Sequence, residues 1–261
     1  MTQNRLWSRE ETVLALDLYC RLPFGRCFRG TPEVIALAEL LGRTPSSVAM
    51  KLCNMASLDP HHQKRGVGGL KHASKMDREV WESAHADWDR FLDEAISSKQ
   101  AISPTGDEQP AESVVPLDDA EPRETAGATR ETTVRVRIGQ SFFREMIMAG
   151  YHSRCCISGI DNPELLVASH VVPWAVDAAN RLNPRNGLCL SAVYDRAFDR
   201  GLLTITPDYE IQFAPRLVER FGSNPYGQFF GRYHNTRIEM PERWYPDPDL
   251  LERHNATCGF K

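Results

Sequence analysis

The chain of 261 residues has no run of about 18 apolar residues, so no segment is long and apolar enough for a bilayer-spanning helix. The opening MTQNRLWSREET lacks the apolar stretch of a signal peptide, so a cytoplasmic location without a membrane partner is expected. Seven cysteines, an odd count without regular spacing, argue against a disulfide framework. Aromatic residues are missing altogether from residues 97–132, where Pro, Ser, Thr, Ala, Glu and Gly dominate. Such a stretch cannot bury enough apolar surface to offset its ordering entropy. It is expected to be a flexible acidic linker between a domain at 1–96 and another at 133–261.

Positive charge is also in short supply, with a formal net charge of −4. The deficit is local. Residues 97–132 hold eight acids against three bases, about −5, whereas residues 1–76 hold eleven Lys/Arg against six Asp/Glu. Without the linker the balance turns slightly positive, so net charge leaves a polyanionic partner open.

What is present begins with helix signals. Ser8 followed by Glu11 reads as a capping box, with Leu14, Leu16, Leu18 and Tyr19 behind it. Thr31-Pro32-Glu33 opens a second helix that Gly42 ends, and Thr44-Pro45 opens a third carrying Val48, Met50, Leu52 and Met55. Helix, glycine turn and helix make a helix-turn-helix pattern, in which Arg43, Thr44, Ser46, Ser47 and Lys51 are placed to face a groove of DNA. A small bundle used for protein contacts stays open as the alternative. The basic, glycine-containing HHQKRGVGGLKHASK suits phosphate contacts through Lys64 and Arg65, or is simply a solvated loop that includes His61 and His62. Residues 76–95 predict one further amphipathic helix.

In the second half, residues 134–148 predict an arginine-bearing strand followed by a helix. A hairpin-like stretch then runs through CCISG and LLVASHVVPW. A loop with Asn180, Asn183, Pro184 and Asn186 leads into LCLSAVYDRAFDRGLLTI, helix-compatible over 191–199 and strand-compatible over 202–205. The expected class is α+β.

The strings ASHVVPW (168–174), NGLCLS (186–191) and FDRGL (198–202) resemble the HNH, or ββα-metal, endonuclease family, closest to a branch of predicted bacterial restriction enzymes. QSFFR (140–144), YHSRCCISG (151–159), Tyr233-His234 and Tyr245-Pro246 are similar to that branch too. The resemblance implies a C-terminal HNH nuclease domain with His170 as general base and Asn186 holding the neighbouring loop. Asp195 and Asp199 stand nine and thirteen residues after Asn186, where helix-borne metal ligands of the family fall, and as i and i+4 they share a helix face. Two carboxylates suit Mg²⁺ or Mn²⁺ better than zinc. The family's last histidine is absent, and Ser169 stands where many relatives carry a metal-binding side chain. Arg144 and Arg185 are candidate phosphate contacts. Cys155 and Cys156 are adjacent with no second CxxC, so no structural zinc is expected. The implied partner is double-stranded DNA, read by sequence or by base modification, with a homodimer on DNA cutting both strands.

Overall fold

The computed structural model describes residues 5–64, 73–103, 130–221 and 223–260. Two compact units emerge, Met1–Val115 and Pro116–Lys261.

Helices in the first unit begin where local chemistry caps them. α1 (Arg9–Arg21) starts on the Ser8–Glu11 capping box. α2 (Pro32–Leu41) and α3 (Pro45–Leu58) meet at Gly42, which ends α2 in the left-handed region at φ 60°. At the start of α3 the Thr44 side chain accepts from the Ser47 N–H. The Thr31 hydroxyl does not cap α2 but donates to the Arg26 carbonyl at 2.6 Å. α4 (Pro60–Lys64) follows directly. The predicted single helix over 76–95 is two, α5 (Lys75–Ala86) and α6 (Trp88–Ile102). Asp87 breaks the run: its backbone is extended, and its carboxylate caps α6 by accepting from the Arg90 N–H. α1 packs against α2, α3, α5 and α6 around Leu16, Tyr19, Leu52, Met55, Phe91 and Leu92.

Two groove-facing expectations are corrected here. Lys51 is buried, with Nζ 2.7 Å from Asp77 Oδ1 and 4.7 Å from the centre of the Trp7 ring. Arg43 pairs with Glu11 at 2.7 Å, donates to the carbonyls of Arg5 and Leu6, and lies 4.2 Å over Trp7. Both cations hold helices together, since a buried charge needs a partner. His62 is also buried and rests against Phe24 at 4.5 Å, on α4 rather than in a solvated loop. Arg65 lies outside the described residues, and Lys64 is the last residue of α4.

The second unit starts with α7 (Arg130–Gly150), helical through the stretch where a strand is predicted. Val134, Val136 and Ile138 alternate like a strand, but Phe142, Phe143, Met146 and Ile147 continue at helical spacing and are all buried. Strand preference is decided by packing partners, and the core contacts favour the helix. CCISG is a turn closed by Gly159 N–H to Cys155 O, not a strand. β1 (Leu166–His170) pairs antiparallel with β2 (Gly187–Ser191), placing His170 opposite Gly187. α8 (Ala192–Asp199) follows at once, giving the strand–strand–helix order. β3 (Leu203–Ile205) and β4 (Ile211–Phe213) form a second hairpin. α9 (Pro215–Phe221), α10 (Ser223–Phe229) and α11 (Pro248–Cys258) complete the described chain. α7 and α8 both pack on β1 and β2, and α11 packs on β3. The helices α6 and α7 therefore run into both ends of the expected linker, whose residues 104–129 lie outside those described.

Candidate active site

His170 closes β1, and three neighbours fix its imidazole. The ring stacks on Phe143 of α7 at 3.9 Å and 10° between planes, and meets Trp174 edge-on at 5.5 Å. Nε2 lies 2.9 Å from the carbonyl oxygen of Arg181. A carbonyl can only accept, so Nε2 carries the proton and Nδ1 of the neutral ring is the free acceptor. No described residue hydrogen-bonds to Nδ1. Burial lowers the imidazole to about 4, against the opposing pull of the Arg181 carbonyl, so His170 is neutral at physiological pH. The result is an oriented, unprotonated nitrogen ready to accept a proton.

The carbonyl that orients it belongs to the loop 171–186, and Asn186 organises that loop. Asn186 is fully buried. Its Oδ1 accepts from Val172 N–H at 2.8 Å, while Nδ2 donates to the carbonyls of Val172 and Asn180, each at 3.1 Å. The Asn186 carbonyl also accepts from Val171 N–H at 2.9 Å. An amide is the side chain that can accept at one end and donate twice at the other.

Gly187 has a steric role beside His170. A Cβ there would lie 2.8 Å from both Phe143 Cζ and Ile147 Cγ1, and Phe143 is the ring under His170. Gly187→Ala is expected to destabilise the second unit by about 1–3 kcal/mol through overpacking. Thermal unfolding checks this; an alanine variant with an unchanged midpoint contradicts it.

The carboxylates ride on α8. Asp195 is half-buried and Asp199 is exposed. Although the residue as a whole is exposed, partial desolvation of the carboxyl by the surrounding protein raises Asp199 against the lowering influence of Arg196 and Arg200. Among the described residues no group of three or more His, Cys, Asp or Glu side chains is arranged to hold a metal ion. Asp195 and Asp199 offer two carboxylates on one helix, hard oxygens of the kind that would suit a cation such as Mg²⁺ that keeps several waters. Ser169 adds nothing to this pair: the residue is buried, and strand alternation points it away from the His170 face.

The two predicted arginines are engaged internally. Arg144 donates to the carbonyls of Leu166 at 2.9 Å and Pro163 at 3.3 Å, tying α7 to the approach of β1. Arg185 lies 3.1 Å from Asp247 and donates to Tyr245 O. Three further arginines are Arg181 in the loop 171–186, Arg196 on α8 and Arg200 just after it. Arg181 donates Nε–H to Trp174 O and sits 5.6 Å over that ring, while Arg196 and Arg200 stand exposed around Asp199. Cys156 and Cys189 are core thiols, both pushed up by burial, with Cys156 N–H bonded to Cys189 O.

The imidazole of His254 on α11, a buried residue, is likewise lowered to about 4 by desolvation. Both histidines are depressed, so the unfolded chain, protonating near 6.5, holds more protons than the native one between pH 6.5 and 4. Stability should therefore fall as pH drops through that window, by up to about 1.4 kcal/mol per pH unit for each imidazole. Urea unfolding of the second unit at pH 7 and pH 5 checks the sign; equal or greater stability at pH 5 contradicts it.

Comparison with known families places this geometry. Residues 155–206 match the family model described as HNH endonuclease, a segment running from the CCISG turn through β3 and containing His170, Asn186, Asp195 and Asp199. The segment similar to HNH endonucleases lies in the C-terminal half, on an α+β fold of helices and short antiparallel strands. A search of curated proteins gives no match.

Proposed function

We propose that the chain is a divalent-metal-dependent endonuclease that hydrolyses phosphodiester bonds of duplex DNA in defence against foreign DNA. The domain match supports nuclease action on DNA. The observation that carries the mechanism is the Nε2 contact of His170 with the Arg181 carbonyl, which leaves Nδ1 to act as base. His170 Nδ1 takes a proton from water as its oxygen bonds to phosphorus and the bond from phosphorus to O3′ breaks. The departing O3′ takes a proton from solvent, leaving 5′-phosphate and 3′-hydroxyl ends. Asp195, with Asp199, would hold the cation, which when bound supplies charge neutralisation at the phosphate. Arg181, Arg196 and Arg200 bind flanking phosphates.

The first unit reads the DNA. With Arg43 and Lys51 committed internally, the residues of α3 left for a groove are Thr44, Ser46, Ser47 and the exposed Met50. An uncharged contact set suits base edges or a modified base better than phosphates. Two nuclease copies on one duplex cut both strands. The competing reading, a DNA-binding regulator without catalysis, draws on the sparse carboxylate set of α8.

The discriminating experiment digests duplexes that differ only in cytosine modification, with Mg²⁺ and Mn²⁺ tested separately. Cutting restricted to one modification state or sequence supports restriction. Cutting without preference indicates a nonspecific nuclease, and binding without cutting on every duplex indicates the regulator.

A further inference from the structure

The family match ends at residue 206, yet the loop that orients His170 is gripped from far beyond it. At the start of α11, Asp247 donates its backbone N–H to the Arg185 carbonyl at 2.9 Å, and its carboxylate lies 3.1 Å from the Arg185 guanidinium. Further along α11, Arg253 Nη1 lies 2.6 Å from Asp177 Oδ2. The adjacent His254 stacks on Phe198 of α8 at 3.7 Å and 2° between planes, with Nδ1 2.9 Å from Thr204 Oγ1 of β3. One helix and its N-cap thus hold the loop at its middle and near its end, and hold α8 and β3 as well.

The Asp177 contact leads straight to the base. Asp177 Oδ2 also accepts from Asn180 Nδ2 at 3.0 Å. Asn180 Oδ1 accepts from Asn183 Nδ2 at 2.8 Å, and the Asn180 carbonyl accepts from Asn186 Nδ2 at 3.1 Å. The next residue is Arg181, whose carbonyl holds His170 Nε2. Hydrogen bonding from Arg253 and Asn180 keeps the Asp177 carboxyl below its usual range, so the pair is charged at neutral pH.

We infer that Asp177 and Arg253 form a positioning pair for catalysis, by which α11 sets the loop 171–186 so that the Arg181 carbonyl stays on His170 Nε2. This rests on the proposed nuclease reading insofar as His170 is its base. The alternative, a surface ion pair with no bearing on the site, is met by magnitude: Arg253 is about half exposed, at 49%, and such pairs add little to overall stability. A large catalytic effect without a melting shift therefore separates positioning from bulk support.

The test uses charge reversal in the full chain: Arg253→Asp, Asp177→Arg, and both together. Each single variant is expected to lose about ten-fold in single-turnover cleavage, as misplacement of a catalytic group does. DNA binding measured without divalent cation should stay within about two-fold, and the double variant should recover most of the rate. A second readout is the imidazole ¹⁵N spectrum. His170 in the unmutated protein should show a protonated Nε2 and unprotonated Nδ1, the single variants averaged shifts, and the double variant the original pattern. Unchanged rates and unchanged His170 shifts in the single variants overturn the inference, as does a double variant no better than the worse single. If a reversed variant fails to fold, Arg253→Gln and Asp177→Asn give the same readouts. If the unmutated protein cuts no duplex, the nuclease reading fails, while the His170 shifts still decide the positioning pair.

Discussion

His170→Ala is expected to lower DNA cleavage by about 10²–10⁴-fold, the contribution of a positioned general base, with duplex binding retained. Three contacts constrain the ring: Phe143 beneath it, Trp174 at its edge and the Arg181 carbonyl at Nε2. They leave Nδ1 as the atom that can take a proton. Burial that lowers the imidazole to about 4 makes the base available throughout the neutral range. Cleavage by the unmutated protein should accordingly show no loss from His170 protonation between pH 6 and 8. A rate that falls steeply below pH 7 and reports a group near 6.5 contradicts the half-buried, carbonyl-held imidazole, as does an alanine variant that cuts at the unmutated rate.

Asn186→Asp is expected to cost about 10²-fold in cleavage, the scale of a displacement of about 1 Å at a reacting group. It should also destabilise the second unit by roughly 2–4 kcal/mol, from two buried carbonyls losing their donor. The carboxylate could still accept from Val172 N–H, but its other oxygen would face the Val172 and Asn180 carbonyls that Nδ2 now serves. Isosteric size therefore does not rescue the substitution. Urea unfolding and single-turnover rates on Asn186→Asp check both effects. Full activity in that variant contradicts the view that the loop, and through it the Arg181 carbonyl, depends on this amide.

The features legible in the sequence are those decided within a few residues. Ser8 with Glu11, Thr44 with Pro45 and Gly42 mark helix ends because caps satisfy backbone groups locally. The order of β1, β2 and α8 is the strand–strand–helix order that the family motifs imply, with His170 ending β1 and Asn186 just before β2. What was illegible is tertiary. Lys51 and Arg43 look like groove cations until Asp77 and Glu11 are brought beside them. Residues 134–138 alternate like a strand, and only the packing of Phe142 through Ile147 makes them helix. Asp87 reads as one more polar residue in a long helix, yet its side chain caps a new one. The Arg181 contribution is a backbone carbonyl, which no side-chain motif encodes. The Asp177–Arg253 pair joins residues on two elements far apart in the chain.

The measurement that bears most directly on the account is end-group analysis of duplex DNA incubated with the intact chain and with His170→Ala, each in Mg²⁺ and in Mn²⁺. The intact chain is expected to leave breaks bearing 5′-phosphate and 3′-hydroxyl ends, and the alanine variant almost none at equal DNA occupancy. Equal cutting by both proteins, or binding by the intact chain with no cutting of any duplex in either metal, would contradict it.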